Sequence, residues 1–344
     1  MEPHVLSNLI TAALAILLAA ALLRARRDPL WRGAGRELAR RRPIAVSVVA
    51  LYVLIAGLDS IAWVDGHAPG AKAESGTLQG QARSVIDRLF PADFQERSYS
   101  APLATHELYG EEPLLHPGKH LLGTNMIGQD VLHLTLKGAR VALVIGGLTS
   151  AIVIPLALLV GVSAGWVGGR LDDAVFFVMS TLASMPTLLL LIALIMALGT
   201  GTTQVCLALG ITGWVGLARL VRAETFKIRE LDYVQAARVL GTSELRIVWR
   251  HVVPNLMHLV LITFALLFSG LVLSEVMLSW LGIGIDGSWG RMIDQARSEL
   301  SREPVIWWNL LASSTALFIL ILAVNQVADA VRDVLDPRTA LEAL

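Results

Sequence analysis

Seven long apolar runs, at about 6–23, 43–64, 141–166, 174–198, 204–221, 257–281 and 305–328, constrain this chain more than any other feature of it. A helix that crosses the hydrocarbon core of a bilayer needs roughly 20 apolar residues. Backbone N–H and C=O groups left unpaired in lipid are costly, so runs of this length fold as spanning helices. Charged residues make up only 16% of the 344 positions, against about a quarter in a soluble domain. The sequence therefore predicts an all-α integral membrane protein with about seven transmembrane helices.

Basic residues in the short connections set the orientation. Segment 24–42 holds Arg24, Arg26, Arg27, Arg32, Arg36, Arg40, Arg41 and Arg42 against Asp28 and Glu37, and segment 222–256 holds Arg222, Lys227, Arg229, Arg238, Arg246 and Arg250. Both are expected in the cytoplasm, and the even number of spans between them is consistent with that. The N-terminus and segment 65–138 are then outside and the C-terminal tail inside. A cleaved signal peptide carries its positive charge before the apolar core. Here Met1, Glu2 and His4 precede the first run and the arginines follow it, which favours an uncleaved helix.

Residues 1–42 read as an N-terminal span with a basic linker, and 43–64 as a second span. Segment 65–138 is too polar for lipid; within it, 120–137 has Ile127, Val131, Leu134 and Leu136 near helical spacing. That stretch is expected to form a short amphipathic helix at the outer surface. Residues 139–338 form the main transmembrane core, with a short tail at 339–344.

Several patterns that could carry chemistry are weak in context. No G-x-x-x-x-G-K-[ST] occurs, so no P-loop for ATP is expected here. Gly161-Val-Ser-Ala-Gly165 matches the nucleophile-elbow pattern but lies inside an apolar run, without the strand–turn–helix that would expose Ser163. Gly161, Gly165 and Gly169 read instead as a small-residue stripe for close helix packing. His116 and His120 are four apart, but Pro117 and Gly118 between them break the helical register that would bring two metal ligands together. An ordinary surface loop is the expectation there. Lone Cys206 reads as a small packing residue.

Glu275 is the notable charge inside a span, where ionisable groups face protein or water. Its place near the outer end of its run makes snorkelling to the interface equally open. Pro186 should kink the fourth run beside Ser184 and Thr187, as a gate or as packing. Asn325, Asp329, Arg332, Asp333 and Asp336 form a polar stripe at helical spacing, the solvated face of the last helix.

Segment 230–256, ELDYVQAARVLGTSELRIVWRHVVPNL, is the most informative. Val234, Ala237 and Gly241 put small residues on one helical face, Gly241 can end the helix, and Thr242 or Ser243 can cap the next. A short helix of this kind between spans suits a groove on another protein, or equally a connector resting on the bilayer.

This segment resembles the cytoplasmic EAA loop of ABC importer permeases, whose pattern is Glu-Ala-Ala, three residues, Gly, then Pro thirteen positions later. Gln235, Ala236, Ala237, Gly241 and Pro254 occupy those positions, with Gln235 in place of Glu. The resemblance to dipeptide, oligopeptide and nickel permeases extends over roughly 120–338. Gly123, Thr124, Gly128, Asp130, Gly138, Ala139 and Arg140 fit, while Asn125 and Gln129 stand where the pattern has Asp and Arg. Ser279-Trp-Leu-Gly-Ile-Gly284, Ser288-Trp289-Gly290 and the tail Asp329, Arg332, Asp333, Asp336-Pro337-Arg338 also fit.

The resemblance implies a type I permease fold of six family helices, with the first span here an extra one. It implies coupling to ATPases through Tyr233, Gln235, Ala236, Ala237, Gly241 and Pro254; Pro186 and Glu275, read from the residues alone, are the candidates for a pathway or gate. The implied partners are two ATPase subunits that hold ATP and Mg, a second and different permease subunit, and an external substrate-binding protein, in the bacterial inner membrane. No cofactor in this chain and no nucleic acid is implied. Peptides are the expected cargo, with nickel or a metal chelate as the alternative; an intramembrane hydrolase and a non-transporting scaffold are more distant.

Overall fold

The computed structural model describes residues 40–63, 83–90, 94–109 and 112–335. The expected first span at 6–23, most of the basic linker and the tail from Asp336 lie outside them. The helices, in chain order, are α1 (Pro43–Ser60), α2 (Val85–Leu89), α3 (Val131–Val167), α4 (Gly169–Ser184), α5 (Thr187–Leu198), α6 (Thr202–Arg229), α7 (Asp232–Val239), α8 (Glu244–Ile247), α9 (Val253–Trp280), α10 (Trp289–Glu299) and α11 (Trp308–Leu335). A π-helical turn, Val248–Val252, joins α8 to α9, and two-residue strands β1 (Ala62–Trp63) and β2 (Arg83–Ser84) pair antiparallel. Among the described residues, five helical stretches are long and apolar enough to cross a membrane, and α4–α5 makes a sixth if the pair is one span. These coincide with the six expected runs that fall within the described residues.

Two expectations need correction. The run at 174–198 is not a kinked helix: α4 and α5 meet at 93°. The residue before a proline is driven out of the α region by the ring. Met185 is extended (ψ 137°) and Pro186 follows with ψ 118°, so the helix stops and restarts at Thr187. Nor is there a separate amphipathic helix over 120–137. Residues 121–130 are turns and bridges, and α3 begins at Val131 and runs unbroken for 37 residues. At 1.5 Å per residue that is about 55 Å, well beyond the roughly 30 Å of hydrocarbon. The amphipathic pattern from Val131 onward belongs to the first turns of this long helix.

The chain forms two compact units. One comprises Val46–Ala142 and Asp286–Leu320. In it, Trp289 lies against Gly138, where a Cβ would come within 2.4 Å of the indole. The Trp289 indole N–H donates to the Thr135 carbonyl at 2.9 Å, and Tyr52 meets the ring edge-on at 5.9 Å. Trp308 donates to the Thr124 carbonyl at 3.0 Å beside Gly123, whose φ of +72° places it in the left-handed region. Asp59, at the end of α1 and only 2% exposed, accepts from Ser84 and faces Lys137 and Arg140 at 3.8 and 3.6 Å. Most of the motif residues between 120 and 140 therefore have a structural task.

The other unit comprises the described residues up to Ala45, Leu143–Ile285 and the described residues from Ile321. Its core joins Val153 and Ala157 of α3, Met179 of α4, Trp214, Ala218 and Val221 of α6, and Leu256 of α9. Lipid is as apolar as these side chains, so close van der Waals fit has to supply what water would supply elsewhere. Gly161 and Gly165 provide it: a Cβ on either would fall 2.7–2.8 Å from α6 backbone oxygens. Gly169 has nothing within 4 Å, so the expected stripe holds for its first two members. Asp172 and Arg222 tie α4 to α6 through a two-point ion pair, with the guanidinium 4.9 Å from the Phe226 ring centre.

Candidate functional site

The loop between α6 and α9 is built in detail by its own sequence. Leu231, in extended conformation, precedes α7. At the other end Gly241 takes φ +79°; its N–H bonds Arg238 O at 3.0 Å, and the Thr242 N–H bonds Ala237 O at 3.1 Å. This pair of bonds is a Schellman closure, which needs a residue that tolerates the left-handed region. Ser243 precedes α8 without a side-chain capping bond. Arg238 makes a two-point ion pair with Glu244 at 2.9 and 3.1 Å, joining α7 to α8, and sits 5.2 Å from the Trp166 ring centre. The Val253 N–H reaches back five residues to Val248 O. Pro254, which has no N–H to place, follows in the first turn of α9.

Of the small-residue face of α7, Val234 is turned inward while Gly241 stays exposed. Val234 is fully buried and Ala237 packs partly buried against the same core as Ile247 and Val252. Ala236 and Tyr233 face outward. Beside them Val239, Leu240, Leu245 and Trp249 are 87%, 84%, 70% and 67% exposed. The sequence reading singled out neither Val239 nor Leu240, whereas Leu245 and Trp249 belong with Val248 and Val252 to an apolar stripe that is legible in the sequence. Gln235 donates its amide to Arg229 O at 2.9 Å, closing the end of α6. A glutamate carboxylate at this position could not donate that bond. Tyr233 Oη accepts from the Asn255 amide at 2.8 Å.

Pro186 is exposed at the α4–α5 break, and Ser184 returns its hydroxyl to Thr181 O. Glu275 is 3% exposed within α9, buried in protein rather than extended towards an interface, and accepts from Ser279 Oγ at 2.6 Å. Gly284 lies against that serine so closely that a Cβ would fall 1.7 Å from Ser279 Oγ. The structure places Tyr233, Gln235, Ala236 and Ala237 on α7, Gly241 at its closure and Pro254 at the start of α9, and leaves Pro186 and Glu275 on separate elements. Ser163 donates to Val160 O inside α3, a helical setting that gives it no base and no exposed elbow.

His116 and His120 do not lie in an ordinary surface loop. His120 is 1% exposed and the His116 side chain 16%. Gly118, at φ +71°, turns the chain between them, and Gly118 N–H is held by Ala104 O at 2.8 Å. Glu96 completes the group from twenty residues away. Its carboxylate accepts the Leu115 and His116 N–H groups, each at 2.8 Å, and lies 3.2 Å from His120 Nε2. Asp130 Oδ2 meets His120 Nδ1 at 2.8 Å, while its Oδ1 accepts the His133 N–H at the start of α3. Burial works against the charged form of Glu96, but those N–H groups and His120 outweigh it and hold its pKa below the usual value. For His120, burial likewise opposes charge, and Asp130 and Glu96 prevail to raise it.

Helices long and apolar enough to cross a membrane, with one pair of them sharply bent, mark a multi-pass membrane protein. Residues 157–341 match the family of binding-protein-dependent transport system inner membrane components, and the chain belongs to that family. It is 33% identical to a peptide transport system permease protein of Brucella suis, over 89% of this chain and 92% of the relative. The oligopeptide transport system permease protein OppC of Bacillus subtilis is 31% identical, over 74% of this chain and 82% of its own. The nickel transport system permease protein NikC of Escherichia coli is 33% identical, over 67% and 83%. Among solved structures, a chain of the MetNI methionine ABC transporter aligns with a TM-score of 0.45 at 17% identity, over 58% of this chain and 96% of that one. The chain is thus a permease component of the ABC peptide, oligopeptide and nickel importer family, a mostly helical multi-pass protein of the inner membrane. Membership implies ATPase and substrate-binding-protein partners.

Proposed function

We propose that this permease forms half of a translocation pathway for peptides and couples it to two separate ATPase subunits through α7. The observation that carries the reading is the loop's construction. Val234 and the Gly241 closure fix α7 to the chain, while Ala236, Val239, Leu240, Leu245 and Trp249 are left outward. Exposed apolar side chains on a rigid helix, rimmed by charge, are the usual make-up of an interface core. The ATPases hold ATP and Mg, this chain contributing no site for either, and a second, different permease completes the pathway. The excess of Arg and Lys at 24–42 and 222–256 supports a loop on the cytoplasmic side, with the N-terminus outside. Peptide cargo is supported by the peptide-permease relative that spans most of both chains.

The test is uptake into proteoliposomes that hold the permease pair, its ATPases and its binding protein. ATP-dependent accumulation of a labelled oligopeptide, undiminished by excess nickel, is expected. Accumulation of nickel, with no peptide uptake, would replace the peptide reading with the metal one.

A further inference from the structure

Glu96, His116 and His120 carry no task in the transport reading, yet the fold spends a buried carboxylate and two shielded imidazoles on bringing them together. One ligand atom from each, a carboxylate oxygen and two ring nitrogens, lie within 4.8 Å of one another. Glu96 Oε1 is 3.2 Å from His120 Nε2 and 3.5 Å from His116 Nδ1. Two ligand atoms at about 2.0–2.1 Å from a tetrahedral zinc ion stand about 3.3–3.4 Å apart, so these separations bracket the requirement. His116 Nδ1 is shielded from solvent and has no hydrogen-bond partner among the described residues. A buried polar atom left in that state calls for a partner.

His120 adds a second, independent mark. Its Nδ1 is engaged by Asp130 at 2.8 Å. A carboxylate on one ring nitrogen fixes the tautomer so that the other presents its lone pair, which is the usual support for a metal-bound histidine. That other nitrogen, Nε2, is the one turned to Glu96. Phe94 covers both rings, its centroid 4.4 Å from that of His120 and 5.3 Å from that of His116. An apolar cover over imidazole and carboxylate ligands limits solvent access and lowers the local dielectric around the site.

We propose that Glu96, His116 and His120 bind a divalent cation of the zinc class on the external segment, with Asp130 orienting His120 from behind. Three protein ligands, two nitrogen and one oxygen, leave a fourth position for water or a fourth donor. The ion joins residue 96 to the 115–120 turn and, through Asp130, to the start of α3. It thereby fixes the external segment in one conformation. Glu96 Oε1 has two lone pairs, so it can keep the His116 N–H and still face the ion.

The experiment uses the full chain in detergent, free of any histidine tag, stripped with a chelator and then titrated with zinc. One equivalent per chain is expected by elemental analysis, with cobalt substitution giving the intense visible bands of a four-coordinate site. His116→Ala removes a ligand without touching the backbone bonds of Glu96, and should abolish the equivalent while the chain elutes and unfolds as the parent does without metal. Asp130→Asn keeps the helix cap and should weaken binding about 10–100-fold. If His116→Ala proves unstable, His116→Gln serves in its place. A parent chain that takes up no zinc, or a His116 variant that takes up as much as the parent, overturns the proposal.

Discussion

Asn125 donates its side-chain amide to the Gln129 side-chain oxygen at 3.1 Å. These are the two positions at which the chain departs from the Asp and Arg of the pattern it otherwise follows. The departures are therefore a contacting pair, a neutral amide couple where opposite charges would meet. Asn125 Oδ1 also accepts the Ile127 and Gln129 N–H groups at 3.1 and 2.9 Å, which holds the turn before α3.

A double-mutant cycle follows from this. Asn125→Asp keeps the acceptor and loses the donor, whereas Gln129→Arg loses the acceptor. Together they restore a pair. Thermal unfolding of the four proteins in detergent should give single variants below the parent and a double variant that recovers, with a coupling of about 0.5–3 kcal/mol. Simple additivity would contradict the pairing.

Adjacent glycines in α3 should behave oppositely. A Cβ on Gly146 would lie 2.2 Å from the Phe268 ring, while one on Gly147 meets nothing within 4 Å. Overpacking costs about 1–3 kcal/mol, and relieving a helical glycine gains about 0.5–1 kcal/mol. Gly146→Ala should lower the melting temperature and Gly147→Ala leave it level or higher. Equal effects would show that α3 and α9 do not meet as described.

Glu299 is 1% exposed and burial pushes its carboxyl up, although Asn309, at 3.1 Å, and Tyr99 pull the other way. A raised folded-state pKa means that the folded chain holds this proton more tightly than the unfolded one. Its stabilising contribution is complete below the unfolded value of about 4.3 and is lost as pH rises through the folded value. Glu299→Gln can still accept from Asn309 and has no proton to lose. Relative to the parent, it should gain stability as pH rises through that window and hold the gain at pH 8. A constant difference between the two melting curves from pH 4 to pH 8 would refute the assignment.

The spans were legible because hydropathy measures length, and length is what a bilayer demands. Direction is not carried by hydropathy, so the 93° turn at Met185–Pro186 read as a kink, and the first turns of α3 read as a helix of their own. Gly241 was legible because a left-handed helix end needs glycine. The orientation of α7 was not, since Val234 and Ala237 are small enough to suit either a partner's groove or the chain's own core. The meeting of His116 with His120 was hidden for another reason. It depends on the turn at Gly118 and on Glu96, and no local spacing encodes a contact across twenty residues.

The central claim is that the outward face of α7 transmits ATP hydrolysis to the pathway, and Ala236→Asp tests it most directly. Ala236 faces away from the core, so the substitution leaves the fold intact, whereas Ala237→Asp would strike the chain's own packing. A carboxylate buried without a partner costs about 3–5 kcal/mol, which is a hundredfold or more in affinity. The measurement is substrate-stimulated ATP hydrolysis by the assembled transporter, beside Ser301→Asp on an exposed turn as the control. The account predicts that Ala236→Asp inserts normally, loses its ATPases and shows no stimulation, while the control matches the parent. Full stimulation and uptake by Ala236→Asp would contradict it, and α7 would be a connector and nothing more.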